Sequence, residues 1–144
     1  MPDDYKYIEI AKVNPKAVIC MDSACYLAGI LKEEPEVISL ATGRTDRRKL
    51  ELSFDVNRYY FKNTGIRGEI IEKKTKFGNY LYYSPERTFC DCIRLQGRLE
   101  EDVREAILAQ YDIHRKQQLR IYEYAEKLRC IKNIQEADTA LQNK

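Results

Sequence analysis

The pattern of apolar residues predicts an α+β fold: a small mixed or antiparallel sheet in the middle of the chain, short N-terminal helices and a C-terminal helical tail. Apolar residues alternate with a period of two in the middle of the chain, whereas helical spacing dominates after residue 84. Helix punctuation falls at the borders. Asp22-Ser23 precedes Ala24, with Gly29 closing that segment, and Ser84-Pro85-Glu86 precedes Phe89.

Each element has its own signal. Asp4, with Asp3, suits the N-terminus of a helix carrying Tyr5, Ile8 and Ala11, because unpaired N–H groups attract negative charge. Asn14-Pro15 ends it, since a residue before proline avoids the helical region. Ala17-Val18-Ile19-Cys20 is a short apolar run that reads as a strand or as the approach to the next helix. In that helix Asp22-Ser23 acts as the N-cap and Gly29 as the C-terminal glycine able to take positive φ. Strand candidates follow at 37–41, at Leu50-Glu51-Leu52-Ser53-Phe54, and at 58–61, the last closed by Asn63-Thr64-Gly65. Residues 69–74 and 79–83 read as a β-hairpin with Gly78 in its turn. Ser84 then caps a helix with Pro85 at its first position. Three further helices are expected, opening at Glu100-Glu101-Asp102, running through Leu119 to Leu128, and capped by Asn133.

The chain of 144 residues has room for one domain, 1–144. Hydrophobic residues at 44% and charged residues at 33% place it among folded globular chains rather than disordered ones. No apolar run reaches the roughly 18 residues a membrane helix needs. The opening MPDDYKYIEI lacks the basic start and apolar core of a secretory signal, so a cytoplasmic setting is expected.

Few sites of chemistry stand out. Cys20, Cys25, Cys90, Cys92 and Cys130 are an odd set, with Cys90 and Cys92 spaced C-x-C and His114 the sole histidine. That spacing suits no zinc site, so reduced, buried thiols and no metal are expected. Phosphate-binding glycine loops and the nucleophile-elbow signature are missing, and no cofactor is expected. Glu86 and Asp91 are five residues apart, on different helix faces, which is poor geometry for a shared ligand or an acid–base pair. Arg87 and Asp91 are four apart and can pair on one face.

Charge is placed unevenly. Residues 43–87 hold 11 Lys/Arg and 6 Asp/Glu, within a chain of net charge +2. Arg44, Arg47, Arg48 and Lys49 form one basic cluster; Lys73, Lys74 and Lys76 form another. Both flank strands expected to share a sheet, so pairing should bring them into one patch able to bind duplex DNA by releasing counterions. Tyr59, Tyr60, Tyr80, Tyr82 and Tyr83, interleaved with them, could stack on bases there. A solvated sheet rim is the plainer reading of the same residues.

Two stretches together resemble a family pattern. The first is residues 17–30, containing Ser23-Ala24 and Ala28-Gly29-Ile30; the second is residues 82–93, containing Glu86-Arg87-Thr88 and Asp91. They are similar to the signatures of AbiEi-type antitoxins of type IV toxin–antitoxin systems, also described as abortive-infection transcriptional regulators. Ala28 stands where that family often shows His. The resemblance implies the family's second domain, with the usual N-terminal winged helix absent or truncated. It implies a non-enzymatic bacterial protein that counteracts a nucleotidyltransferase-like toxin without needing a stable complex, and that supports transcriptional autoregulation. Ser23, Gly29, Glu86, Arg87 and Asp91 are the motif residues it singles out. The alternative is a nucleic-acid-binding or nucleic-acid-processing module, nuclease-like, using the same basic face.

Overall fold

The structure, a computed structural model, describes residues 4–62, 69–115 and 119–143. Helix α1 (Tyr5–Val13) leads into strand β1 (Val18–Ile19) and helix α2 (Met21–Leu27). Strands β2 (Ile38–Gly43) and β3 (Val56–Phe61) follow, then the hairpin of β4 (Ile70–Thr75) and β5 (Gly78–Tyr83). Helices α3 (Pro85–Arg94), α4 (Glu101–His114), α5 (Leu119–Lys127) and α6 (Ile131–Gln142) come last, with a 3-10 turn at Gln96–Arg98 between α3 and α4. The fold is α+β. Its five-stranded sheet has the order β3-β2-β1-β5-β4. Strand β1 pairs antiparallel with β2 and parallel with β5, while β2–β3 is parallel and β4–β5 antiparallel. The sheet is therefore mixed, and its central strand comes from the N-terminal region rather than from the middle of the chain.

That central position explains the run Ala17-Val18-Ile19-Cys20, all four residues of which are buried. A strand covered on both faces needs apolar residues at successive positions. Val18 joins Ala41, Tyr59, Phe61 and Tyr83 in the core beneath α2 to α6. Ile19 points the other way, to Leu40, Tyr80 and the α1 residues Tyr7, Ile8 and Ile10. The molecule thus has three layers, with α1 on one face of the sheet and the other helices on the opposite face. Each large side chain so buried contributes roughly 1.5–3 kcal/mol.

Two expected elements differ. Leu50–Phe54 is not a strand. Because β2 and β3 are parallel, the chain must cross back from one end of the sheet to the other. Residues 44–55 make that crossing with Leu50, Leu52 and Phe54 packed on the α1 cluster. Ser53 anchors it, donating from N–H (2.7 Å) and Oγ (2.9 Å) to the Glu9 carboxylate. Extended backbone turns alternate side chains to opposite sides whether or not a neighbouring strand is present, so the period of two was real but the pairing was not. The second difference concerns α6, which starts one residue after Cys130; Asn133 lies inside it.

Elsewhere boundaries move by a residue or two. Ser84 Oγ accepts from Arg87 N–H at 3.4 Å, and Pro85 is the first helical residue, as expected. Gly78 follows the two-residue turn Lys76-Phe77, at φ +148°. A Cβ there would stand 2.9 Å from Ile8 Cγ2, so glycine lets α1 lie close on the hairpin. Asp3 and the closing Asn63-Thr64-Gly65 lie outside the described residues.

Candidate functional site

The Ser84–Asp91 motif forms a buried ion cluster under a cationic pocket. Helix α3 packs between α2 and α5 and over the sheet, and Arg87 projects from it to full burial. Arg87 Nε donates to Asp91 Oδ2 at 2.9 Å, one turn along the helix, and Nη1 donates to Glu69 Oε1 at 2.6 Å. Glu69, just before β4, and Asp91 are also fully buried. Arg94, partly exposed, donates to Asp91 Oδ1 at 2.8 and 3.1 Å. Aromatic rings line the remaining sides: the Arg87 guanidinium lies 4.5 Å from the Tyr83 centroid and 5.3 Å from that of Phe61, and Arg94 lies 4.9 Å from Phe61. Arg98 repeats the contact at 4.2 Å over Tyr59.

Among the described residues two arginines thus meet two carboxylates, whose charges balance. Burial works against the Arg87 charge, but the fields of Asp91, Tyr83 and Glu69 outweigh it and hold its pKa above the usual arginine value. Burial pushes the Tyr83 hydroxyl pKa well up, although Arg87 pulls it down. Removing one partner from a buried ion pair strands the others and costs about 3–5 kcal/mol. Asp91 and Glu69 are therefore consumed as counter-ions. Glu86, half-buried at the first turn, takes no part in the cluster.

Above this cluster opens a pocket of about 580 Å³. Its lining includes Arg44 beyond the end of β2, Phe61 and Lys62 at the end of β3, Arg87 and Arg94 of α3, and Lys127 and Arg129 at the end of α5. Arg44, Lys62, Lys127 and Arg129 are exposed and have no ion-pair partner among the described residues.

Arg129 has an unusual backbone, at φ +57°. Its N–H donates to the Glu126 carbonyl at 3.2 Å, and the Cys130 N–H donates to the Ala125 carbonyl at 2.9 Å. This is the Schellman ending, whose left-handed residue is usually glycine. The chain closes α2 in the same way with Gly29, at φ +81°, where the Ile30 N–H donates to the Cys25 carbonyl at 2.8 Å. Gly29 meets the sequence expectation. A side chain in this conformation costs roughly 1–2 kcal/mol, and Arg129 bears that cost.

The expected convergence of the two basic clusters is not met. Arg44–Lys49 follow β2, and Lys73, Lys74 and Lys76 lie on and just beyond edge strand β4, three inter-strand spacings of about 4.8 Å away along the sheet. The β1 and β5 strands intervene. Within the first cluster Arg48 is bound to Asp46 (Nη2–Oδ2 2.9 Å, Nε–Oδ1 3.0 Å) and to Asn14 (3.2 Å). Arg47 and Arg58 lie over the ring of exposed Tyr60, at 5.0 and 4.8 Å. Lys49 is exposed, as are Lys73, Lys74 and Lys76. Tyr59, Tyr80 and Tyr83 are core residues and present no ring for stacking bases.

Ser23 is not the cap of α2. Cys20 occupies that position, and Ser23 Oγ accepts from Ser39 N–H at 2.9 Å while Asp22 Oδ1 accepts from Ser39 Oγ at 3.0 Å. The pair ties the start of α2 to β2. All five cysteines are buried free thiols, with Cys25 and Cys92 sulfurs 3.9 Å apart. Burial pushes the Cys20 thiol well up, and a hydrogen bond with Cys25 does the same for Cys92. His114 Nδ1 donates to the Gln110 carbonyl at 2.7 Å, with its ring 5.9 Å from that of Phe89.

Sequence reasoning missed Glu69, Arg94, Lys62, Lys127 and Arg129. Glu69 reads as a strand residue and Arg94 as an ordinary helix end. An i,i+3 spacing of Asp91 and Arg94 was the one usable signal. Compared with protein-family models and with the sequences of curated proteins, the chain matches none.

Proposed function

We propose that this chain is a non-enzymatic, antitoxin-type regulatory domain of a type IV toxin–antitoxin system, acting in the bacterial cytoplasm against a nucleotidyltransferase-like toxin. The observation that carries this reading is the state of the motif that bears the resemblance. Arg87 and Asp91 are fully buried and neutralised within the Glu69–Arg87–Asp91–Arg94 cluster, so the motif serves as a folding device. The working surface is what the cluster holds up, a face rich in unpaired cations. A nuclease-like enzyme would need free carboxylates on that face, and both buried acids there already accept from arginines. Binding to anions supports the reading better than cleavage does.

Contact with DNA, the second part of the proposal, falls to the side carrying Arg44, Arg47 and Lys49 rather than to a joint patch with Lys73, Lys74 and Lys76. Affinity should be weak, sequence-independent and steeply reduced by salt. The test is growth. A nucleotidyltransferase encoded beside this reading frame is expressed in bacteria and arrests them; co-expression of this chain should restore growth. Continued arrest with soluble chain present would overturn the antitoxin reading.

A further inference from the structure

We propose that the pocket between the ends of β2, β3 and α5 is a binding site for a compact polyphosphate group, such as the triphosphate of a nucleoside triphosphate. Arg44, Lys62, Lys127 and Arg129 would ligate it. The proposal deepens the regulatory reading by naming a ligand class, and rests on it only in taking this face as the working one.

Charge comes first. The two arginines at the pocket floor are already matched by Glu69 and Asp91. The four outer cations are not matched by any carboxylate among the described residues. Four like charges around one recess repel each other unless an anion enters, and a triphosphate brings three to four negative charges in a small volume. Lys127 alone would be unremarkable, because a lysine in the last turn of a helix offsets the dipole. Arg129 is not explained that way. It holds a backbone position that glycine would fill without strain, as Gly29 does at the end of α2. Unfavourable backbone is retained where the side chain it presents is useful, and this side chain lines the pocket.

Shape comes second. A recess of about 580 Å³ lies within the 300–1,000 Å³ range of small-molecule sites. Its cations come from three separate chain segments and line one recess. A duplex presents its phosphates on a convex surface and reaches the rim of such a recess rather than its floor. The floor itself is rigid, since Arg87 is locked by carboxylates and rings.

The same triphosphate chemistry is offered by a free nucleotide and by the 5′ end of an RNA. Calorimetric titration of the whole chain with tripolyphosphate, ATP, AMP and a 5′-triphosphorylated oligonucleotide separates the sources. Tripolyphosphate should bind, ATP should bind at least tenfold more tightly than AMP, and the tighter of ATP and the oligonucleotide identifies the source. Arg129→Gly should weaken tripolyphosphate binding at least tenfold while the protein melts no lower than wild type. Lys62→Ala should weaken it in the same direction, and Lys132→Ala on α6 should leave it unchanged. Equal binding of AMP and ATP, or full affinity in Arg129→Gly, overturns the proposal. A chain that neutralises a toxin yet binds no tripolyphosphate defeats this inference alone. A chain that binds tripolyphosphate yet never neutralises defeats the antitoxin reading alone.

Discussion

Helices α2 and α5 end in the same hydrogen-bonded geometry on different residues. Gly29 closes the first at φ +81° and Arg129 closes the second at φ +57°. At residue 29 the geometry and the residue agree, and a Cβ would meet nothing within 4 Å. At residue 129 they disagree, by roughly the 1–2 kcal/mol that a left-handed side chain costs. Both helices pack on α3, so the ends differ in what their residue faces rather than in what supports it. Gly29 borders a smaller recess, of about 280 Å³, whose lining among the described residues holds no lysine or arginine. Arg129 faces a pocket with three other exposed cations that have no ion-pair partner among the described residues. A local rule broken at one of two equivalent places marks where tertiary structure uses the side chain.

The comparison can be attacked through its common support. Arg87→Ala should destabilise the protein by about 3–5 kcal/mol, because Glu69 and Asp91 lose their buried counter-ion. Denaturant titration measures it, and a loss below about 1 kcal/mol would mean the cluster is not the keystone of α3. The next effect acts on one helix end only. Gly29→Ala should cost about 0.5–1 kcal/mol, the left-handed penalty of about 1–2 kcal/mol less the about 0.5–1 kcal/mol of glycine entropy it removes, and an unchanged midpoint would show that the left-handed penalty is absent here.

The reciprocal change has the opposite sign. Arg129→Gly removes the strain but adds the entropy of glycine, about 0.5–1 kcal/mol, so a net gain of roughly 0.5–1 kcal/mol is expected. Loss of stability instead would show that Arg129 is held for packing. The smallest effect is a control on acidity. Hydrogen bonds from Arg48 and Asn14 hold the Asp46 carboxyl well below the usual carboxylate range. A depressed acid stabilises the fold above its unfolded pKa, near 3.9, and that contribution is lost as pH falls through the folded value. The melting temperature should therefore drop as pH falls below about 4, less so in Asp46→Asn. Strain at residues 29 and 129 does not titrate, so the gap between the two helix-end variants should stay constant over the same range.

Much of this was legible in one chain of letters, where the cause is local. The Ser84-Pro85 start of α3, the glycine ending of α2, the hairpin and the six helical segments follow from caps, proline, glycine and apolar period. The i,i+4 spacing of Arg87 and Asp91 announced their pairing. What failed was pairing over distance. Leu50–Phe54 alternates as a strand does, yet whether an extended segment finds a neighbour depends on the parallel partnership of β2 and β3, which no window of residues contains. The two basic clusters were expected together because nearby strands usually pair; the insertion of Val18–Ile19 between β2 and β5 sets them apart.

Sequence by itself determined the fold class, the Ser84-Pro85 start of α3, the glycine ending of α2 and the charge that the middle of the chain must display. Those rest on short-range sterics, hydrogen-bond caps and hydrophobic periodicity, each acting within a few residues. Tertiary structure alone decided that Glu69 would meet Arg87 at 2.6 Å, that Arg44, Lys62, Lys127 and Arg129 would share one pocket, and that an arginine would stand where a glycine fits. Burial in a dry interior makes the first an ion pair rather than a surface contact. The other two depend on which chain ends the sheet and α3 bring side by side, and that is settled only when the whole core closes.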